Sequence, residues 1–230
     1  MNNHCSPNLP RVEPAFYSPH CRLILRMAEP DHFRLFVAIP MPEEICVKVL
    51  PAQAELEKAA SKARIRWTPP EQFHLTLRFL GDVHSDRVEA LTDALRHACL
   101  RFKPLRLQAS GIGFFPNPKY PRVVWVGLTS TSDISGPQPD ELAALQQAVQ
   151  DACQEFTSEP ADKKFSGHIT LGRIKAINRH DAQALSKAAD SMAVRSFGQW
   201  TAENVELVRS ELGQNGATHQ TLTKIPLTSL

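Results

Sequence analysis

The sequence predicts an α+β fold built from two similar halves. Strand-like and helix-like segments alternate along most of the chain, and each half contains one His-x-Thr-Leu strand followed by a helix and further strands. The two copies read FHLTLRFLGDVHSD at 73–86 and GHITLGRIKAINRHD at 167–181. If the halves pack about an approximate two-fold axis, these two strands face each other across a cleft.

Composition excludes several classes of protein. The chain has 230 residues, of which 42% are hydrophobic and 22% charged, as is typical of a soluble globular protein. A net charge of +2 is too small to predict strong non-specific binding to nucleic acid, although it is compatible with a local basic site. No segment approaches the roughly 18 apolar residues of a membrane-spanning helix, so no membrane partner is expected.

The cysteines indicate free thiols, because their number is odd, their spacing is wide and no C-x-x-C motif occurs. They are Cys5, Cys21, Cys46, Cys99 and Cys153. The N-terminus has no apolar run long enough for a secretory signal. A cytoplasmic protein with mostly buried, reduced thiols is therefore expected.

Local patterns divide the chain into an extension and one domain. Residues 1–31 contain five prolines and no sustained apolar period, which predicts an irregular N-terminal extension. We expect residues 32–230 to form a single domain. Its predicted helices lie near 43–60, 86–102, 140–156 and 181 onward, and its predicted strands near 33–39, 73–80, 105–110, 122–128, from 168, 204–209 and 219–226. Pro51 is expected to kink the first helix or delay its start.

Alternation of side chains along a strand gives the repeated motif its chemical meaning. His74 and Thr76 share one face of their strand, while Leu75 and Leu77 share the other. His168 and Thr170 are related in the same way. Two facing strands would therefore bring two imidazoles and two hydroxyls into one cleft.

That set of groups suits acid–base chemistry at a phosphodiester. Imidazole titrates near neutrality, so one ring can act as acid and the other as base in a single step. Threonine hydroxyls can donate hydrogen bonds to non-bridging phosphate oxygens. A single His-x-Thr is most often structural, but two copies in matching contexts favour function. A zinc site is disfavoured because no third ligand stands at a usual spacing from either motif. Of the other histidines, only His219, on a late strand, remains a candidate.

At these residues the chain resembles the 2H phosphoesterase superfamily, and within it the RNA 2′,3′-cyclic phosphodiesterases, also called 2′-5′ RNA ligases. The resemblance runs from about Phe33 to Leu227. The matching segments are RLFVAIPMPEE, WTPPEQFHLTLRFLGDV, GIGFFPNPKYPRVVWVGL and FSGHITLGR. The resemblance implies a bilobal, duplicated α+β fold in which two mainly antiparallel sheets face a central groove, with helices on the outer sides.

The resemblance also implies an activity and roles. It implies hydrolysis of RNA or nucleoside 2′,3′-cyclic phosphate ends to a 2′-phosphate, without metal or cofactor, and the reverse 2′-5′ ligation. His74 matches the family's proton donor and His168 its proton acceptor. Thr76 and Thr170 match its phosphate-binding threonines, and Arg173 a phosphate-contacting arginine. No obligate protein partner is implied.

Two positions depart from the family pattern. Gly167 stands where proline usually precedes the second motif, and Ala217-Thr218-His219 follows Gly216 where a tyrosine is usual. Trp67, Phe115, Tyr120 and Trp125 could stack on a base, although packing explains each one singly, and the role of Arg122 is open. Two alternatives to the cyclic phosphodiesterase remain: a nucleotide- or RNA-binding module without turnover, and the same chemistry on a small cyclic phosphate or a 2′-5′ oligonucleotide.

Overall fold

A computed structural model describes residues 1, 31–131, 140–161, 164–213 and 216–228. Outside these residues lie nearly all of the predicted extension, with Cys5 and Cys21. Most of the stretch 130–139, whose composition is typical of a linker, also lies outside them. Within the described chain, nine strands and four helices follow one another. Strands β1 to β9 span His32–Pro40, Arg64–Trp67, His74–His84, Leu105–Phe115, Val123–Ser130, His168–Ala176, Ser196–Ala202, Asn204–Gly213 and Gly216–Pro226. Helices α1 to α4 span Glu43–Ala59, Val88–Cys99, Glu141–Cys153 and Arg179–Asp190.

The strands form one antiparallel sheet in the order β7-β4-β5-β6-β3-β1-β8-β9, and β2 pairs with β6. The sheet has two lobes, one formed by β7, β4, β5, β6 and β2 and the other by β3, β1, β8 and β9. The lobes meet where β6 and β3 share a single register pair, Leu75 with Ile169. The α+β class predicted from the sequence is confirmed, with the two expected sheets joined edge to edge at this one pair.

Each lobe contains strands from both halves of the sequence. The β4–β5 hairpin follows the first motif in the chain but pairs with β6, the strand of the second motif. The β8–β9 hairpin follows the second motif but pairs with β1, which in turn pairs with β3. The halves of the sequence are therefore interlocked rather than folded side by side.

Helices cover the face of the sheet opposite the motif histidines. Helix α1 packs against α4 and β7, while α2 packs against α3 and β9. The apolar residues that recur at helical spacing in these helices are buried: Ile45, Val49 and Leu56 in α1, and Leu91 and Leu95 in α2. The main core continues onto the sheet through Leu75, Leu77, Ile169 and Leu171, the residues that alternate with the two motifs. Burial of these leucines fixes which way the histidines point.

Several element boundaries differ from the predictions. Helix α1 begins at Glu43 with Pro51 inside it, so the delayed start is wrong. The aspartates that end the two motif segments, Asp86 and Asp181, are not N-cap residues: Asn178 caps α4 by accepting from the Asp181 N–H at 2.8 Å, and Asp86 lies in a 3-10 turn before α2. Strand β4 continues past Ser110 because Gly111 adopts φ +67° in a β-bulge.

Strand β7 was absent from the sequence-based prediction. Its residues 196–202 pair with β4, with a bulge between Ser196 and Gly198 that interrupts the period of two. The three described cysteines are free and buried, as predicted. Burial raises the pKa of Cys99 to about 11 and that of Cys153 to about 12, so both remain protonated thiols near neutrality. Among the described residues, no helix combines the length and apolar character needed to cross a membrane.

Candidate active site

The two motifs line one groove at the junction of the lobes. His74 and Thr76 enter it from β3, and His168, Thr170 and Arg173 from β6. The cavity has a volume of about 250 Å³. All five residues to which the family resemblance assigns a role therefore share one site.

The register explains how the four motif side chains are arranged. Leu75 lies opposite Ile169 in an antiparallel pair. His74 is therefore placed across from Thr170, and Thr76 across from His168. Each histidine thus occupies the register position that faces the threonine of the other motif, about an approximate two-fold axis through the Leu75–Ile169 pair.

Both imidazoles are held by the same local hydrogen bond. Nδ1 of His74 lies 2.7 Å from the carbonyl oxygen of Gln72, and Nδ1 of His168 lies 2.8 Å from that of Ser166. A carbonyl only accepts, so Nδ1 carries the proton in each neutral ring and Nε2 is left with a free lone pair. Each Nε2 can accept a proton when its ring is neutral and donate one when the ring is charged.

Aromatic rings flank both histidines. The ring of His74 lies 4.9 Å from that of Phe36 and 5.3 Å from that of His219. The ring of His168 lies 4.9 Å from that of Phe115 and 6.3 Å from that of Trp125. These rings restrict the imidazoles to a narrow range of orientations and remove water from one side of each.

Burial dominates the electrostatics around His74. Burial and, to a smaller extent, the nearby His219, Arg173 and His168 side chains together lower the pKa of His74 to about 4, against the opposing effect of the hydrogen bond to the Gln72 carbonyl. Burial also lowers the pKa of His219. His74 is therefore neutral at pH 7.

The groove contains residues that the sequence analysis missed. Arg66 and Gln72 line it, as do Phe36, Ser210 and Ala217. Gln72 donates from Nε2 to the Ala217 carbonyl at 2.7 Å, which ties β9 to the loop that holds His74. The guanidinium of Arg66 occupies the space where a side chain at position 216 would stand, so Gly216 (φ +127°) admits it. In the sequence Arg66 stands out only as the neighbour of Trp67. It reaches the site because β2 pairs with β6, and no local pattern predicts that pairing.

The two departures from the family pattern have structural consequences. A side chain at position 167 would come within 2.7 Å of the Leu128 carbonyl oxygen, and Leu128 donates its N–H to the Gly167 carbonyl at 2.9 Å. The glycine therefore permits close packing of the segment that leads into β6. At the other departure, His219 lies in the groove against Phe36 and His74, so the outside candidate from the sequence belongs to the site.

The remaining aromatic and basic candidates divide between two places. Trp67 lines the groove, and Phe115 and Trp125 contact His168. Tyr120 and Arg122 line a separate surface instead. Among the described residues, no cluster of three or more His, Cys, Asp or Glu has an arrangement that could hold a metal ion.

Two His-x-Thr strands that meet in the groove of a duplicated α+β sheet define a two-histidine phosphoesterase. The chain belongs to the family described as LigT like Phosphoesterase, whose sequence model matches residues 39–125 and again residues 133–219. Each match contains one His-x-Thr strand, so the predicted duplication and the predicted superfamily are both confirmed.

Relatives of known name agree with this assignment. A protein of Archaeoglobus fulgidus named RNA 2′,3′-cyclic phosphodiesterase is 31% identical over 189 residues, which cover 82% of this chain and 97% of that protein. A Thermus thermophilus protein of the same name is 31% identical over 202 residues, covering 84% of this chain and 90% of the relative.

Solved structures agree on the fold. A crystal structure of a Thermus thermophilus protein superposes with a TM-score of 0.66 at 28% identity, covering 85% of this chain and 98% of the other. Escherichia coli LigT in complex with 3′-AMP superposes with a TM-score of 0.64 at 23% identity, covering 86% of this chain and 99% of that one.

Proposed function

We propose that this protein hydrolyses 2′,3′-cyclic phosphate ends of RNA or nucleotides, leaving a 2′-phosphate and a 3′-hydroxyl. One observation carries the proposal: two imidazoles share a groove, each with Nδ1 bound to a backbone carbonyl and with no hydrogen bond at Nε2 from any residue that the structure describes. Acid–base catalysis of an in-line displacement needs one proton acceptor and one proton donor on opposite sides of phosphorus. The names of the relatives supply the substrate class.

The reaction has one bond formed and one broken. A water oxygen attacks phosphorus while Nε2 of His168 takes its proton. The bond between phosphorus and O3′ breaks, and Nε2 of His74 gives its proton to O3′. The next turnover begins after the proton on His168 has returned to solvent and His74 has been reprotonated. Ligation follows the same course with a 5′-hydroxyl in place of water: His168 takes the proton of that hydroxyl as its oxygen attacks phosphorus, and O3′ leaves with the proton of His74, which forms a 2′-5′ bond. The reverse step, attack of O3′ on that bond, uses the two histidines in exchanged roles.

The hydroxyls and the guanidinium stabilise the phosphate. Thr76 and Thr170 stand across the strand pair from the two histidines and donate hydrogen bonds to the non-bridging oxygens. Arg173 is exposed at the edge of the groove and balances charge that develops on phosphorus. Arg66, on the neighbouring strand β2, supplies a second positive charge at that edge.

Substrate binding supplies the charge state that the donor needs. His74 has a pKa of about 4, mainly through burial, and is neutral at pH 7. A phosphodiester anion beside Nε2 favours the imidazolium and raises this pKa. His74 therefore takes up a proton as the substrate binds, and the acid is formed where the leaving oxygen stands.

We place this activity in a single domain formed by residues 32–230 and in the cytoplasm. A binding module without turnover would use the same groove, but binding alone does not require two imidazoles with free Nε2 atoms. A small cyclic phosphate or a 2′-5′ oligonucleotide would meet the same groups as the end of an RNA.

Product analysis tests the proposal. The protein is incubated with an oligonucleotide that ends in a 2′,3′-cyclic phosphate, and the position of the phosphate in the product is determined by NMR. A 2′-phosphate is expected. A 3′-phosphate would place the donor beside O2′ instead, and binding without any product would identify a binding module. The remaining alternative is tested by measuring kcat/KM for a panel of small cyclic phosphates and 2′-5′ oligonucleotides. A higher kcat/KM for one of these than for the cyclic end of an RNA would favour that alternative substrate.

A further inference from the structure

A second groove lies beside the catalytic one. It has a volume of about 990 Å³ and lies between the loop after β4 and helix α4. The residues that matter here are Lys119, Tyr120, Arg122, Ile174 and Arg179. Nothing in the proposed acid–base chemistry uses it.

Backbone hydrogen bonds connect the two grooves directly. Phe115, whose ring contacts the catalytic His168, accepts a hydrogen bond from the Arg122 N–H at 2.7 Å. Arg122 in turn accepts from the N–H of Ile174 at 2.8 Å. Ile174 directly follows Arg173, which lines the catalytic groove. Because successive residues of a strand face opposite ways, the second groove opens on the helix side of β6, around the edge formed by the loop after β4 from the catalytic groove.

The second groove is basic. Lys119, Arg122 and Arg179 line it, and none of its described lining residues is acidic. Asp181 lies in the first turn of α4 but is only 4% exposed and faces the interior. Because the whole chain carries a net charge of only +2, three cations on one surface are a local concentration of positive charge.

An aromatic ring is fixed at the rim of this groove. Tyr120 is 65% exposed. The side-chain oxygen of Asn117 accepts from the N–H groups of Lys119 at 3.1 Å and of Tyr120 at 3.0 Å, so the backbone of both residues is held in place. The Lys119 ammonium lies 5.5 Å from the centre of the Tyr120 ring. An exposed ring beside cations is the arrangement with which proteins bind single-stranded nucleic acid.

We propose that the second groove binds the RNA strand on the 5′ side of the cyclic end, with the cations on its phosphates and Tyr120 stacked on a base. This inference rests on the proposed function for the identity of the strand. The catalytic groove, at about 250 Å³, is smaller than pockets that enclose typical small ligands, about 300–1,000 Å³. An RNA must therefore leave it over the surface, and a path around the loop after β4, which begins beside Phe115 at His168, leads to the basic groove.

The experiment compares two substrates of different length. Kinetics are measured on a 2′,3′-cyclic mononucleotide and on a ten-nucleotide RNA with the same end, for the wild type, for the double variant Lys119→Gln/Arg179→Gln and for Tyr120→Ala. We expect the double variant to raise KM for the long RNA about tenfold and to leave the mononucleotide unchanged. Loss of two contacts should also reduce the slope of log(kcat/KM) against log salt by about 1.4 for the long RNA. Tyr120→Ala should raise KM for the long RNA about five- to tenfold with little change in salt slope.

Lys103→Gln is the matched control, because Lys103 is an exposed cation in the turn before β4 and outside both grooves. Equal effects of the double variant on both substrates, or none on the long RNA, would overturn the proposal. If the wild type turned over neither substrate, the proposed function would fail, and fluorescence anisotropy with a 5′-labelled form of the same RNA would decide the second groove separately. A roughly tenfold loss of affinity in the double variant supports it, and unchanged affinity rejects it.

Discussion

Leu75 and Ile169 lie opposite each other in the single register pair that joins β3 to β6. Both side chains are fully buried under the helices. This pair has two consequences. It joins the two lobes, and it turns the residues on either side of it, His74 with Thr76 and His168 with Thr170, into the groove. The apolar part of each motif is thus what positions its catalytic part.

The two histidines should be required for turnover to a much greater extent than the threonines. His74→Ala or His168→Ala removes a general acid or base, for which a loss in kcat of about 10²–10⁴ is expected. Thr76→Ala or Thr170→Ala removes one hydrogen bond from a neutral hydroxyl to an anionic oxygen, worth about 1.5 kcal/mol, so a loss of about tenfold is expected. The measurement is kcat on a cyclic mononucleotide, with His97→Ala, an exposed residue of α2, as control. Near-wild-type turnover in a folded histidine variant would exclude the paired mechanism.

The pH profile of kcat/KM should reflect the low pKa of His74. Two unperturbed imidazoles would place both limbs of a bell-shaped profile near neutrality, but burial lowers the pKa of His74 to about 4. The profile depends on both macroscopic pKa values, whichever ring is the acid, so its lower limb should lie near pH 4. In kcat this limb should lie at higher pH, because bound substrate anion favours the charged rings. A lower limb of kcat/KM at pH 6.5 or above would contradict the depressed pKa.

The stability of the protein should fall between pH 6.5 and pH 4. His74 has a folded pKa of about 4 against about 6.5 in an unfolded chain, so the unfolded state binds more protons throughout this window. Stability from the neutral, buried ring is present above pH 6.5 and is lost as the pH falls toward 4. Burial of His219 acts in the same direction. The loss of Tm between pH 7 and pH 4.5 should be smaller in His74→Gln than in the wild type, and unchanged in His97→Gln. An equal loss in wild type and His74→Gln would disprove the linkage.

Gly113→Ala should disturb the site from the side of His168. The Trp125 indole lies where a methyl group at position 113 would stand. The ring must therefore move, and it would carry with it the contacts that Phe115 and Trp125 make with His168. We expect a several-fold loss of kcat and a change in tryptophan fluorescence, with Gly213→Ala as control because, of the residues that the structure describes, its added methyl would meet only the Gly216 carbonyl oxygen, at 3.3 Å. Unaltered fluorescence and turnover would show that the ring position is unimportant.

Activity should persist after exhaustive chelation. The proposed step takes its acid and its base from the two imidazoles and its electrostatic stabilisation from Arg173 and the hydroxyls, so no metal ion enters it. Turnover of a cyclic mononucleotide is measured after dialysis against EDTA and again after addition of single divalent ions. Complete loss with recovery by one ion would require a different mechanism.

The sequence by itself determined the residues that turn toward the groove and the side of each strand they occupy. The period of two along 73–80 and from 168 separates imidazoles and hydroxyls from leucines and isoleucine, because alternate side chains of a strand face opposite ways. The helical spacing in 88–102 and 142–156 likewise identified faces that the structure buries. These are local properties, and short-range geometry is sufficient to establish them.

The tertiary structure alone decided which distant residues join the motifs. Phe36, Arg66 and His219 reach the groove because β1, β2 and β9 are placed there by strand pairing, and the β4–β5 and β8–β9 hairpins exchange between the lobes. No local pattern specifies such a partner, since the period of a strand shows its faces and not its neighbours. The low pKa of His74 follows in the same way, because it depends mainly on burial by segments far apart in the chain.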